Sequence, residues 1–91
     1  MSESALERRC VRAARVAGGE LLKVLPWAIS GLPDRLLILP GGAHTWIEFK
    51  APKGLLTPMQ QHWRDRLLYL GCDHRVVRSW EDFEAALMGR K

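Results

Sequence analysis

Apolar positions recur along this chain with two different periods, and each change of period marks an element. Over Ser4–Ala17, residues Leu6, Cys10, Ala13, Ala14 and Ala17 fall at the spacing of one helix face, and Gly18-Gly19 stops the run. Leu21 to Ile29 reads as a short strand, interrupted by Pro26 and running into a loop. RLLIL, Arg35 to Leu39, is nearly continuous in apolar residues and predicts a central strand. Pro40-Gly41-Gly42 is a turn, and Thr45 to Lys50 follows as the second arm of a hairpin. Thr57-Pro58 opens a second helix, with Thr as N-cap and Pro at the first helical position. Met59, Trp63, Leu67 and Leu70 predict its apolar stripe, and Gly71 its end. HRVVR, His74 to Arg78, returns to strand, and Ser79-Trp80-Glu81-Asp82 resembles a capping box. It opens a last helix through Phe83, Leu87 and Met88. The order αβββαβα predicts an α/β fold, a mixed sheet flanked by helices.

One strand breaks its own pattern. In WIEFKAP, Trp46 to Pro52, the Trp, Ile and Phe suit a sheet, but Glu48 and Lys50 do not suit a core. Strand residues two apart share a face, so this acid and this base lie side by side. GLPD, Gly31 to Asp34, places a second acid at the start of the neighbouring strand. Two carboxylates a few Å apart repel unless a cation stands between them, and Mg²⁺ takes such oxygens. Lys50 could then orient a water or stabilise charge building on a phosphate. The reading depends on hairpin geometry. A three-residue loop, Pro40 to Gly42, sets Asp34 opposite Glu48 on one face, whereas a two-residue loop sets it opposite Phe49, so the metal reading predicts the odd-length loop or a bulge. The alternative is a cross-strand salt bridge of Asp34 or Glu48 with Lys50 or Arg35.

Composition narrows the classes. Ninety-one residues predict a single domain, 1–91, and 47% hydrophobic residues argue against disorder. A core this small gains from a partner. No apolar run approaches a membrane span, and MSESALERR has no signal-peptide core, so the expected location is the cytoplasm. Cys10 and Cys72 read as small buried residues, and no histidine stands at zinc spacing with either. The net charge of +4 favours a polyanionic partner. Arg8, Arg12 and Arg15 share a helix face, which is either a phosphate-contacting ridge or an ordinary solvated surface. Lys53, beside Gly54, is placed to reach a phosphate backbone, and Trp27 to stack on an unpaired base or to pack in the core.

GLPD, IEFKAPKG, LTPMQQHW and LGCDHRVVRS, in that order, resemble the VRR-NUC (virus-type replication-repair nuclease) family of the PD-(D/E)xK nuclease superfamily. The similarity runs from about Leu6 to about Leu87. It implies a restriction-endonuclease-like αβββαβ core and metal-dependent hydrolysis of DNA phosphodiesters with Mg²⁺ or Mn²⁺. It implies metal ligation by Asp34, Glu48 and the backbone carbonyl of Phe49, with Lys50 as the catalytic lysine. Gln60 matches the family glutamine that opens the second helix, although Gln61 beside it competes for that position and a solvated first-turn role also fits. Glu7 matches the acid of the first helix that completes the metal shell; three residues after Ser4, it also fits the return half of a capping box. Lys23 falls near a position often basic in the family. Short members resemble phage enzymes that act as homodimers on branched DNA such as four-way junctions. A non-catalytic nucleic-acid-binding module with the same fold, and an interaction module whose charged pair is a salt bridge, are the competing classes.

Overall fold

A computed structural model describes residues 2–25 and 29–89, so the expectations for Pro26 and Trp27 lie outside the described residues. The elements follow the order α1 (Glu3–Val16), β1 (Glu20–Lys23), β2 (Arg35–Ile38), β3 (His44–Phe49), α2 (Pro58–Tyr69), β4 (Asp73–Val77) and α3 (Trp80–Leu87). The strands form one sheet in the order β1-β2-β3-β4. The first three are antiparallel, and β4 runs parallel to β3 because α2 carries the chain back between them. The α/β class and the mixed sheet are as the periodicity predicts.

Register sorts the side chains. Leu21, Leu37, Ile47, Phe49 and Val77 share one face and pack with Leu6, Cys10 and Ala14 of α1 and Phe83 and Ala86 of α3. This is the core. On the other face α2 lies against β4, where Arg64 and Asp65 stand near enough to His74 for their charges to act on it.

Four expectations change. The N-cap of α1 is Ser2, whose hydroxyl accepts the Ala5 N–H at 3.1 Å, so Ser4 caps nothing and Glu7 closes no capping box. β1 spans Glu20–Lys23, shorter than the stretch from Leu21 to Ile29, since its partner β2 is only four residues long and the Val24 N–H adds one last bond, to the Asp34 carbonyl. The stripe of α2 is mostly exposed: Leu67 is buried, Trp63 half-buried, and Met59 and Leu70 are 47% and 58% exposed. α2 touches the sheet chiefly along β4, which is too narrow to cover a full helix face. At α3, Ser79 does accept the Asp82 N–H, but the Asp82 carboxylate accepts from the Arg78 N–H at 2.8 Å, one residue further back than a capping box requires.

These burials set different costs for truncation. Leu37→Ala is expected to lower the free energy of unfolding by about 3 kcal/mol, and Met59→Ala by under about 1 kcal/mol. Urea titrations followed by circular dichroism check both; equal losses would mean that α2 is buried as its periodicity suggests.

Candidate active site

The hairpin loop has three residues. Leu39 donates its N–H to the Ala43 carbonyl at 2.8 Å, enclosing Pro40, Gly41 and Gly42. Gly41 and Gly42 both have positive φ, 91° and 88°, a backbone that side chains with a Cβ resist. The loop sets Arg35 opposite Ile47, and one step further the same register sets Asp34 across from Glu48. The odd-length geometry is therefore present.

Asp34 is aimed from its backbone. Pro33 before it is fully buried. Gly31, at φ 87°, passes so close to the backbone of Met59 that a Cβ there would lie 2.7 Å from it, so the GLPD loop is seated on the first turn of α2. The Val24 N–H donates to the Asp34 carbonyl at 2.9 Å, and the Asp34 carboxylate accepts the Phe49 N–H at 2.8 Å. One carboxylate oxygen thus substitutes for the strand bond that β2 has ended too early to supply.

Glu48 is only 2% exposed. Its carboxyl is pushed up to about 8, first by burial, then by hydrogen-bonding contact with Asp34 and by the charge of Asp34, with Glu3 adding to the rise. Lys50, on the same strand face, acts against these and favours the ionised form. The pair is electrostatically short of positive charge, and burial beside Asp34 favours the neutral form of Glu48 at neutral pH. Among the described residues no group of three or more His, Cys, Asp and Glu side chains is gathered tightly enough to hold an ion. Two opposed carboxylates with a neighbouring backbone carbonyl nevertheless suit Mg²⁺, which binds through one or two carboxylates and completes its shell with water or phosphate. The donor set fits.

The other expected residues divide. Glu7 lines a pocket of about 190 Å³ with Glu3, Lys23, Asp34 and Phe49. Its Oε2 is held by Arg35, which donates Nε and Nη2 at 2.7 Å each, while Arg35 Nη1 donates to the Leu21 carbonyl at 3.2 Å. In this arrangement Glu7 ties α1 to β1 and β2. Gln60 is also occupied: its Oε1 accepts the Thr57 N–H at 2.9 Å and its own N–H donates to Thr57 Oγ1 at 3.2 Å, a reciprocal cap at the turn that receives Gly31. Gln61 donates instead to the Leu56 carbonyl. Lys50 is half-buried beside Glu48, and Lys53 is exposed on the following turn.

Arg8 and Arg12 are exposed and line a groove of about 360 Å³ with Ser4, Glu7, Val11 and Arg35. Glu7 borders both this groove and the acidic pocket, so the two adjoin. Arg15 lies at the far end of α1 and pairs with Glu20 at 3.5 Å. Sequence reasoning missed Glu3, and it named Arg35 only as a salt-bridge partner for Asp34 or Glu48, whereas Arg35 pairs with Glu7. Glu3 lies four residues before Glu7, hence on the same helix face, which is a signal the sequence carried. Arg35 carried none, because its partner is 28 positions away.

A carboxyl raised by folding stabilises the fold below its unfolded value and loses that contribution as pH rises through its folded value. For Glu48 the window runs from 4.5 to about 8. Without divalent ions, wild-type Tm is expected to fall relative to Glu48→Gln as pH rises from 5 to 9. Thermal melts of both proteins across that range, in EDTA, check the sign; parallel curves would place the proton elsewhere.

Comparison with known proteins agrees with this fold. No family model matches the chain. It is 37% identical over 75 residues to a protein named "Putative nuclease p44" from Acyrthosiphon pisum secondary endosymbiont phage 1, covering 82% of this chain and 78% of the relative. A solved structure described as a VRR_NUC domain superposes with a TM-score of 0.85 at 25% identity, covering 94% of each chain. With the αβββαβ order, the GLPD acid opposite E-x-K and these relatives together, the chain belongs to the VRR-NUC family of nucleases.

Proposed function

We propose that this nuclease acts as one domain, residues 1–91, hydrolysing DNA phosphodiesters endonucleolytically, with Mg²⁺ or Mn²⁺ held by Asp34, Glu48 and the Phe49 carbonyl. The observation that carries the reading is the buried Glu48 carboxyl pressed against Asp34, with Lys50 on the same strand face. A divalent cation bound there supplies Lewis-acid polarisation of the scissile phosphate and lowers the pKa of water. The protein does the rest. Asp34 is fixed by the Phe49 N–H and the buried Pro33, so its carboxylate is positioned before substrate arrives. Glu48 gives up its proton when the cation binds, so affinity should rise with pH up to about 8. Lys50 donates to the attacking water or to the phosphate oxygen on which charge builds. The water oxygen bonds to phosphorus as one of its protons passes to solvent, the bond to the leaving sugar oxygen breaks, and that oxygen takes a proton from solvent. Gln60, in the turn that seats the GLPD loop, supports the site from α2. Glu7, at the pocket's rim on Arg35, is placed to join the metal shell if that pair opens.

Arg8 and Arg12 line the groove that adjoins the pocket, a path for the phosphate backbone, with Lys53 on the other side of Lys50 and Arg15 extending the ridge. We extend the proposal to branched DNA, cut by a homodimer in the host-cell cytoplasm. A two-fold pair offers two sites to a symmetric junction. The exposed Leu68, Tyr69 and Leu70 at the end of α2 favour self-association. Among the described residues no helix is long and apolar enough to cross a membrane.

Two experiments test this. Labelled four-way junction, flap, duplex and single-stranded DNA are incubated with Mg²⁺, Mn²⁺ or EDTA. The expected result is metal-dependent symmetric nicking of the junction, with a loss on the order of 10²-fold or more in Lys50→Ala. Cutting of other substrates instead would remove the junction preference, and salt-sensitive binding without cleavage would make the chain a nucleic-acid-binding module. Separately, Mn²⁺ is expected to raise Tm at pH 8 for wild type and not for Asp34→Asn. An equal rise in both would remove Asp34 from the metal site.

A further inference from the structure

We propose that Arg78 is a positioning residue for Lys50, acting through the turn that follows it; this rests on the nuclease reading above. Lys50 is the first residue beyond β3, and its N–H donates to the Val77 carbonyl at 3.1 Å. The chain then turns back at once. The Gly54 N–H closes onto the Ala51 carbonyl at 2.9 Å, and a Cβ at Gly54 would lie 3.6 Å from the Lys50 Cβ. The turn therefore folds over the root of the lysine side chain. Parallel pairing of Phe49 with Val77, carried one residue on, sets Arg78 beside Lys50 at the end of β4. Arg78 Nη2 donates to the Gly54 carbonyl at 2.8 Å in a half-buried contact. The backbone N–H of Arg78 is held in turn by the Asp82 carboxylate at 2.8 Å.

These bonds form a chain of restraint from α3 to the active-site lysine. Asp82 fixes the end of β4, Arg78 crosses to Gly54, and Gly54 limits where Lys50 can swing. Among the described residues, Arg78 makes the one side-chain hydrogen bond to the turn over 51–54. Lys53 projects from that turn, so the same bond fixes its place relative to Lys50. A charged donor to a carbonyl is stronger than a neutral one, which suits a restraint on an exposed turn. Arg78 touches neither carboxylate of the site and takes no part in the proton transfers.

The test compares wild type with Arg78→Ala, Arg78→Met and Arg78→Lys in two measurements. One is steady-state cleavage of the DNA that wild type cuts best. The other is digestion of the folded protein by endoproteinase Lys-C, with the rate of scission at Lys53–Gly54 followed by mass spectrometry. Arg78→Ala and Arg78→Met are expected to lower kcat by about 10- to 100-fold, through displacement of Lys50, and to speed scission at Lys53–Gly54. KM should rise by no more than about threefold, through the displaced Lys53 alone, because the proposed contacts of Arg8 and Arg12 on α1 are kept. Arg78→Lys, which can still donate to the Gly54 carbonyl, should recover part of both. If Arg78→Ala does not fold by circular dichroism, Arg78→Met, which keeps the apolar stem, carries the comparison. A looser turn with unchanged kcat overturns the proposal. So does lost kcat with an unchanged turn, and so does a raised KM with kcat kept, which would make Arg78 a DNA contact. A wild type that cuts no DNA, with Lys53–Gly54 protected only while Arg78 is present, overturns the nuclease reading and leaves the clamp standing.

Discussion

Everything at the site depends on two carboxylates being forced together where water cannot screen them. Glu48 is buried near the C-terminal end of the central strand β3, and Asp34 is held beside it by a bond to the Phe49 backbone. Folding therefore works against ionisation of Glu48, whose carboxyl rises to about 8. A protein keeps such an arrangement only if the surrounding structure supplies the stabilisation. Here that comes from the face below: Ile47, Phe49 and Val77 join Leu6, Cys10 and Phe83 in a continuous apolar core. The core needs β3 at the centre of the sheet, and a β3 so placed carries Glu48 to a position it would not choose in isolation.

Charges of the first helix are divided by this core. Its buried side, Leu6, Cys10 and Ala14, docks on the sheet; Cys10, fully buried, has its thiol pushed up to about 12 and is chemically quiet. Glu3 and Glu7 then border the acidic pocket, while Arg8 and Arg12 border the adjoining groove. Arg35 stands at the junction and takes Glu7 in a half-buried pair. One helix thus contributes negative charge beside the proposed cation site and positive charge along the proposed path of a phosphate backbone. The arrangement accounts for a basic chain with an acidic centre.

The second helix has a different part. With Leu67 its only fully buried residue, α2 adds little to the core. Its first turn is its most constrained region: Thr57 and Gln60 cap each other, and Gly31 rests on Met59. That turn is the seat of the GLPD loop, so α2 serves the position of Asp34 more than the stability of the sheet. Arg64 over Asp65 and Arg66 near Tyr69 are surface contacts of small worth. Arg9, stacked 3.9 Å over the Trp80 ring, is the stronger tie, joining α1 to α3 across the core edge.

The sequence by itself determined the elements and their order, because periodicity, caps and glycine turns are local. It made the facing of Asp34 and Glu48 conditional on the length of the loop at Pro40-Gly41-Gly42, and the three-residue form of that loop sets them opposite, since a hairpin's register follows from its loop length. It also placed Glu48 and Lys50 on one face by simple alternation. Tertiary structure decided what long-range partners decide. Glu7 went to Arg35 across 28 residues, and Arg78 found Gly54 across 24. The cap of Ser2 on Ala5 and the pairing of Gln60 with Thr57 span three residues each and belong to local chemistry. Met59 and Leu70 stayed exposed because a helix stripe says which face is apolar, not how wide a surface waits to cover it. Local chemistry is written in spacing; a hydrogen bond between distant side chains depends on where two backbones come to lie, and only the packed sheet sets that.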